Sequence, residues 1–510
     1  MPSSIVETPW GRLQGSSSQG VTRFLGIPYA AAPTGALRLR SPRPPVPWPG
    51  LREALRPGPA SLQTLKGHQT WLNDACPDQS EDCLFLNVWT PDLHARLPVL
   101  VWVHGGQTRN GHGAGAAFDG STLAREQRLV VVTLNYRLGA LGGLAHPALQ
   151  DEASGHCANW GLQDKLAALD WVQRSIAAFG GDPGQVTLAG QSSGAANAAL
   201  IAGHGLAAGS YHRLVLQSPP LFRPPLFVEL DAAAQYTEFL ARQLDRTVPQ
   251  LREMDGRALQ QAEQALAASP ELAAIMGRPR TAPVCDGRLL RAWSYDTPPA
   301  PCPTLLGWTR DEADFWFDLR DGEGREIAPL QPPRTVEAFA ERAAALARLH
   351  HAFDTGPDIA ALTAAYEAAR DPARAWSALY TDLVFRAPIV HFAARQARAG
   401  HGTYAYEFAQ PVAAPGRGSP HASDVPFVFG TTGHAHFAGK LEASDDVRTL
   451  SQAMRAAWGS FARDGVPSTP SPWPAFDTRQ PRAMQFAAPA PRAMPLHRPD
   501  RLALWAGYAS

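Results

Sequence analysis

The sequence predicts an α/β fold with one large, mostly parallel central sheet flanked by helices. Two observations carry this. Short, continuous apolar runs end in glycine or a polar residue, as strands buried on both faces do. Stretches of helical period lie between them, so strand and helix alternate along the chain.

The first apolar run is Val99–Val103, in PVLVWVHGG, and the second is Leu129–Asn135, LVVVTLN. Leu162, Leu166, Leu169, Val172, Ile176 and Phe179 then recur at spacings of three or four, which puts one apolar stripe on a helix. Gly180 and Gly181 end that helix, and Asp182-Pro183 turns the chain. Val186–Ala189 is the next strand and Ala195–Ile201 the helix after it. Arg213–Leu216 and Thr304–Gly307 are further strands. From 221 to 400, Ala-rich helical segments such as Ala338–Leu349 mix with Pro-rich connections, so this region is expected to be a largely helical insertion covering one end of the sheet. With neither repeat nor linker, residues 1–510 read as a single domain.

Composition narrows the function classes. At 45% hydrophobic and 18% charged residues the chain supports a sizeable core. Its 46 basic and 46 acidic residues cancel, so no global field favours nucleic acid or an anionic membrane. No apolar run is long enough to span a bilayer. The opening MPSSIVETPWGRLQG does not show a basic n-region followed by an apolar h-region. The expected compartment is the cytoplasm, or the periplasm or exterior if a signal peptide has been removed. The five cysteines, Cys76, Cys83, Cys157, Cys285 and Cys302, lack the paired spacing of a zinc site. Neither a metal nor a cofactor is expected.

Gly190-Gln191-Ser192-Ser193-Gly194 fits G-x-S-x-G. Alone the pattern is weak, but here an apolar strand precedes it and a helix follows. That is the setting of a nucleophile elbow and of the α/β-hydrolase fold. Ser192 is the candidate nucleophile. An unactivated hydroxyl is a poor one, so it needs a base within hydrogen-bond reach and an acid to orient the base. In this fold both follow the serine, acid before histidine, which leaves many candidates open.

Longer motifs narrow them. FLGIPYAAAPTGALRLRSPRPPVPW, SEDCLFLNVWTP, NYRLGALGGL, NWGLQDKLAALDWVQRSIAAFGGDP, GQSSGA, TRDEADF, PHASDVPFVFG and WGSFARDGVPS occur in this order. With them the chain resembles the type-B carboxylesterase family nearly end to end. The resemblance implies a small-molecule ester substrate, the triad acid at Glu312 in TRDEADF and the base at His421 in PHASDVPFVFG, with Asp311 as a decoy. It also implies Ser218 and Asp424 behind the triad, ion pairs Arg38–Glu81 and Arg137–Asp164, and a disulfide at Cys83, whose only upstream partner is Cys76.

The family's oxyanion loop reads H-G-G-G-F, whereas this chain has His104-Gly105-Gly106-Gln107-Thr108. The implied donors are the N–H groups of Gly106, Gln107 and Ser193. Arg109, Asn110 and His112 follow where the family lines its gorge, and Arg grips carboxylates. They suggest a polar or carboxylate-bearing ester, such as the tricarballylate esters that fumonisin esterases cleave. Phe315 and Trp316 are candidates for an apolar wall. Rival readings are amide or carbamate cleavage on the same machinery, and a non-catalytic binding protein of the same fold.

Overall fold

Alternate residues of the central strands divide between two apolar cores. Val99, Val101 and Val103 face one, and Leu100 and Trp102 face the other. Successive side chains of a strand point to opposite faces, so a strand buried on both sides reads as one continuous apolar run. The computed structural model describes residues 3–63, 76, 78–221, 228–267, 283–291, 297–317, 331–349, 358–413 and 418–505.

The sheet has 13 strands. They are β1 (Ser3–Thr8), β2 (Gly11–Ser18), β3 (Val21–Pro28), β4 (Leu51–Glu53), β5 (Phe85–Thr90), β6 (Leu97–Val103), β7 (Val130–Leu134), β8 (Gly181–Gln191), β9 (Arg213–Gln217), β10 (Thr304–Thr309), β11 (Thr403–Phe408), β12 (Arg482–Phe486) and β13 (Arg492–Pro495). Their order is β1-β2-β3-β5-β7-β6-β8-β9-β10-β11-β12-β13, with β4 beside β2. From β7 to β12 every pairing is parallel, and the flanking pairings β3–β5, β5–β7 and β12–β13 are antiparallel.

The main helices are α1 (Trp160–Ser175), α2 (Ser193–Gly203), α3 (Leu230–Gln243), α4 (Gly256–Ala267), α5 (Asp314–Phe317), α6 (Pro372–Thr381), α7 (Ala387–Arg398) and α8 (Asp445–Asp464). α1 places Leu162, Leu169 and Val172 in one core, and α8 places Leu450, Met454, Trp458 and Phe461 in the other. Helices therefore cover both sheet faces, as parallel crossovers require. Among the described residues between 228 and 398, helices predominate, but β10 runs through the middle as a full member of the central sheet.

The predicted helix over Leu162–Phe179 is α1 followed by a 3₁₀ turn, Ile176–Phe179, which Gly180 ends at φ +77°. The chain does not turn at Asp182-Pro183. These residues belong to β8, whose register against β6 breaks between Gly181 and Val186. Proline has no amide hydrogen for the ladder, so an irregularity there costs little.

The disulfide does not form: Cys76 and Cys83 are both free thiols. Cys83 is buried beside Ser61, whereas Cys76 is only half-buried and lies 3.8 Å from the Gln79 amide. Both ion pairs are present. Arg38 grips Glu81 through two nitrogens at 2.5 and 2.6 Å, and Arg137 reaches Asp164 at 2.7 Å with both side chains buried. Among the described residues no helix is long and apolar enough to cross a membrane, and no cluster of His, Cys, Asp and Glu is placed to hold a metal.

Candidate active site

Because the central strands are parallel, their C-terminal ends share one edge of the sheet, where ligands of open α/β sheets bind. β6 leads there into the His104–Thr108 loop, β8 into Ser192, β10 into Glu312 and β11 into the loop carrying His421.

The turn at Ser192 is as tight as the motif demands. A Cβ on Gly190 would lie 2.7 Å from the Gly194 backbone, and one on Gly194 would lie 2.2 Å from the Val103 carbonyl oxygen. Ser192 itself has φ +54° and ψ −128°, a strained conformation for any residue with a side chain. Its N–H is anchored to the Gln217 carbonyl at 2.8 Å.

Glu312 is wholly buried, and Nδ1 of His421 is hydrogen-bonded to its Oε2. Its other oxygen accepts the Thr309 N–H at 2.8 Å. Asp311 does different work: its carboxylate accepts the Ser419 N–H at 2.8 Å and holds the His421 loop. The partner of His421 Nε2 is the side-chain amide of Gln191, at 2.9 Å, rather than the Ser192 hydroxyl. The structure thus brings His421 together with Glu312 and with the residue next to Ser192.

Behind the histidine, Asp424 accepts from Tyr406 Oη at 2.7 Å and Gln217 Nε2 at 2.9 Å, while its other oxygen has no partner among the described residues. Burial pushes this carboxyl up to about 6. Ser218 is also buried, at φ +46°, and its hydroxyl has no partner among the described residues.

In the His104–Thr108 loop Gly106 has φ +112° and Gln107 φ +58°. Neither N–H is used in a hydrogen bond among the described residues. Ser193 opens α2, where N–H groups have no partner within the helix. Its hydroxyl accepts the Thr108 N–H at 3.3 Å, which ties the loop to the elbow. The Gln107 side chain is exposed, so it does not crowd the loop.

Arg109 pairs with Glu263 of α4 at 2.9 Å. Burial raises the Glu263 carboxyl, and Tyr236 Oη donates to it at 3.3 Å. Asn110 is half-buried and turns back, its N–H given to the Gly106 carbonyl at 3.1 Å. His112 does not line an accessible wall. It is 0% exposed, and its Nδ1 faces the Ala114 N–H at 3.3 Å. The chain curls under the loop here because Gln63 takes both the N–H and the carbonyl of Gly111, at 2.7 and 2.9 Å.

Phe315 and Trp316 lie against the imidazole, with ring centroids 5.8 and 5.3 Å from that of His421. Phe385 completes this wall at 5.0 Å. It sits on a π-helical turn, Asp382–Arg386, between α6 and α7. A cavity of about 380 Å³ between 331–334 and 371–373 shares no residue with this site. Sequence reasoning missed Gln191, Gln217, Tyr406, Glu263 and Phe385. Gln191 was visible as the first variable position of G-x-S-x-G. The others carry no local signal.

The model of the carboxylesterase family matches residues 2–505. The chain belongs to the carboxylesterase family. It is a carboxylic ester hydrolase with the α/β-hydrolase fold. This carboxylesterase is 34% identical to the Fumonisin B1 esterase of Sphingopyxis macrogoltabida, over 94% of this chain and 85% of the relative. It is 32% identical to the para-nitrobenzyl esterase of Bacillus subtilis, over 94% of each. Among solved structures, a Geobacillus stearothermophilus carboxylesterase superposes with a TM-score of 0.80 at 30% identity, over 98% of this chain and 99% of that one.

Proposed function

We propose that this carboxylesterase cleaves carboxylic esters through a covalent acyl-enzyme, with Ser192 as nucleophile, His421 as general base and Glu312 as its orienting acid. The buried Glu312–His421 pair carries the reading. A carboxylate at Nδ1 puts the proton there, so in the neutral ring Nε2 is the nitrogen whose lone pair can take a proton. His421 takes the Ser192 proton as Oγ attacks the carbonyl, and the N–H groups of Gly106, Gln107 and Ser193 receive the oxyanion. His421 then protonates the departing alcohol. A water that gives its proton to His421 releases the acid.

The test is a fluorophosphonate probe read by peptide mass spectrometry. The label is expected on Ser192, absent in Ser192→Ala and much slowed in His421→Ala. Labelling elsewhere would overturn the assignment.

We propose, as a second reading, an ester with a carboxylate near the scissile bond, of the tricarballylate type found in fumonisins. The 34% identity to a fumonisin B1 esterase supports it, as does Arg109, whose side chain is 33% exposed beside the oxyanion loop. Arg109→Ala is expected to slow a carboxylate-bearing ester more than a matched neutral one. Equal losses would remove the reading.

A further inference from the structure

Glu312 also decides which way the Gln191 amide faces. A carboxylate only accepts, so Nδ1 of His421 carries the proton and Nε2 of the neutral ring offers a lone pair. The group 2.9 Å from that lone pair is the Gln191 amide nitrogen, which must donate. Gln191 is 2% exposed and confined on its other side, where a Cβ on Gly105 would lie 2.5 Å from its Oε1. Ser192 Oγ makes no hydrogen bond among the described residues.

We infer that Gln191 latches the base: its amide occupies the lone pair that His421 needs for the Ser192 proton, and it must swing away before attack. The inference rests on the roles proposed above for Ser192 and His421. The ring nitrogen has a single in-plane lone pair, so the amide N–H and the serine O–H compete for it. The resting enzyme keeps its base in the working tautomer but not on the nucleophile. An ester entering beside Gly105 offers the amide another acceptor oxygen, and the lone pair passes to Ser192. No bond is made or broken and no proton is transferred in the latch itself.

The experiment compares wild type, Gln191→Met and Gln191→Glu by the second-order rate of Ser192 labelling with a fluorophosphonate. Met keeps the length of the side chain and removes the donor, so labelling is expected to speed up roughly fivefold, the equivalent of one modest hydrogen bond. Glu offers an acceptor that holds Nε2 protonated, so labelling should fall below wild type. A purely structural role predicts that both variants fall, and an unchanged or slower Met variant overturns the latch. Absence of label from wild-type Ser192 would instead overturn the underlying assignment of the nucleophile. A second measurement needs no change at Gln191. In protein with ¹⁵N-labelled histidine, the Nε2 resonance of His421 is expected to be the same in wild type and Ser192→Ala. A shift on removing the hydroxyl would place Ser192, not Gln191, on the lone pair and end the proposal.

Discussion

Glu312 Oε1 accepts the Thr309 N–H at 2.8 Å, which leaves Oε2 for Nδ1 of His421. One carboxylate is thus fixed by the end of β10 and in turn fixes the imidazole. In Glu312→Gln the amide can keep the Thr309 contact only by turning its NH₂ toward Nδ1, which forces the other tautomer on the ring. The expected loss in kcat is about 10⁴-fold with the fold intact, the scale seen when a triad acid becomes its amide. A tenfold loss or less on para-nitrophenyl acetate would mean that Glu312 does not orient the base.

The backbone at Ser192, at φ +54° and ψ −128°, is costly for every residue except glycine. Ser192→Ala keeps that cost, whereas Ser192→Gly removes it. The Gly variant is expected to exceed the Ala variant in unfolding free energy by roughly 1–2 kcal/mol, and both are expected to be inactive if Ser192 is the nucleophile. Urea titration of the two variants checks this. Equal midpoints would show that the elbow is not strained.

Glu263 cancels much of the charge that Arg109 could present to a substrate, since the pair is 2.9 Å apart and Glu263 is only 1% exposed. Glu263→Gln keeps the shape and releases the guanidinium. The ratio of kcat/KM for a carboxylate-bearing ester over a neutral one should then rise, by up to roughly fivefold for one exposed charge pair gained. An unchanged ratio would mean that the substrate does not reach Arg109.

The central strands were legible because burial on both faces writes them as unbroken apolar runs, with Val99–Val103 the clearest. The antiparallel edge was not. β2, Gly11–Ser18, reads GRLQGSSS, with half-exposed small residues that suit a loop as well as a strand. The motifs pointed to the proposed nucleophile directly, but to its proposed partners only through family resemblance, because parallel strands bring together residues far apart in sequence. Glu263 and Phe385 were invisible because their roles come from α4 and from a π-helical turn packing onto the site, and no local pattern encodes that. His112 misled for the opposite reason. Its place beside Arg109 suggested a shared wall, but the Gln63 bonds to Gly111 fold it inside.

Lys165 titrates without taking part in the chemistry. Its ammonium lies 3.3 Å from the centre of the Tyr136 ring and donates to the Gly161 carbonyl at 2.9 Å, fully enclosed. Burial lowers it to about 7, despite the neighbouring Asp164 carboxylate. The unfolded chain holds this proton up to about 10.4, so between about 7 and 10 the unfolded state binds more protons than the folded one. Stability attributable to Lys165 therefore rises with pH across that window, and below it the full cost of a buried charge is felt. Lys165→Met fills the same space without a charge. At pH 6.5 the Met variant should be more stable than wild type, on the order of 4 to 5 kcal/mol for a proton held that much less tightly in the folded chain. The gap should close toward pH 10. Denaturant unfolding of both proteins at pH 6.5, 8 and 9.5 measures it, and parallel curves would mean that the amine titrates alike in the folded and unfolded chains.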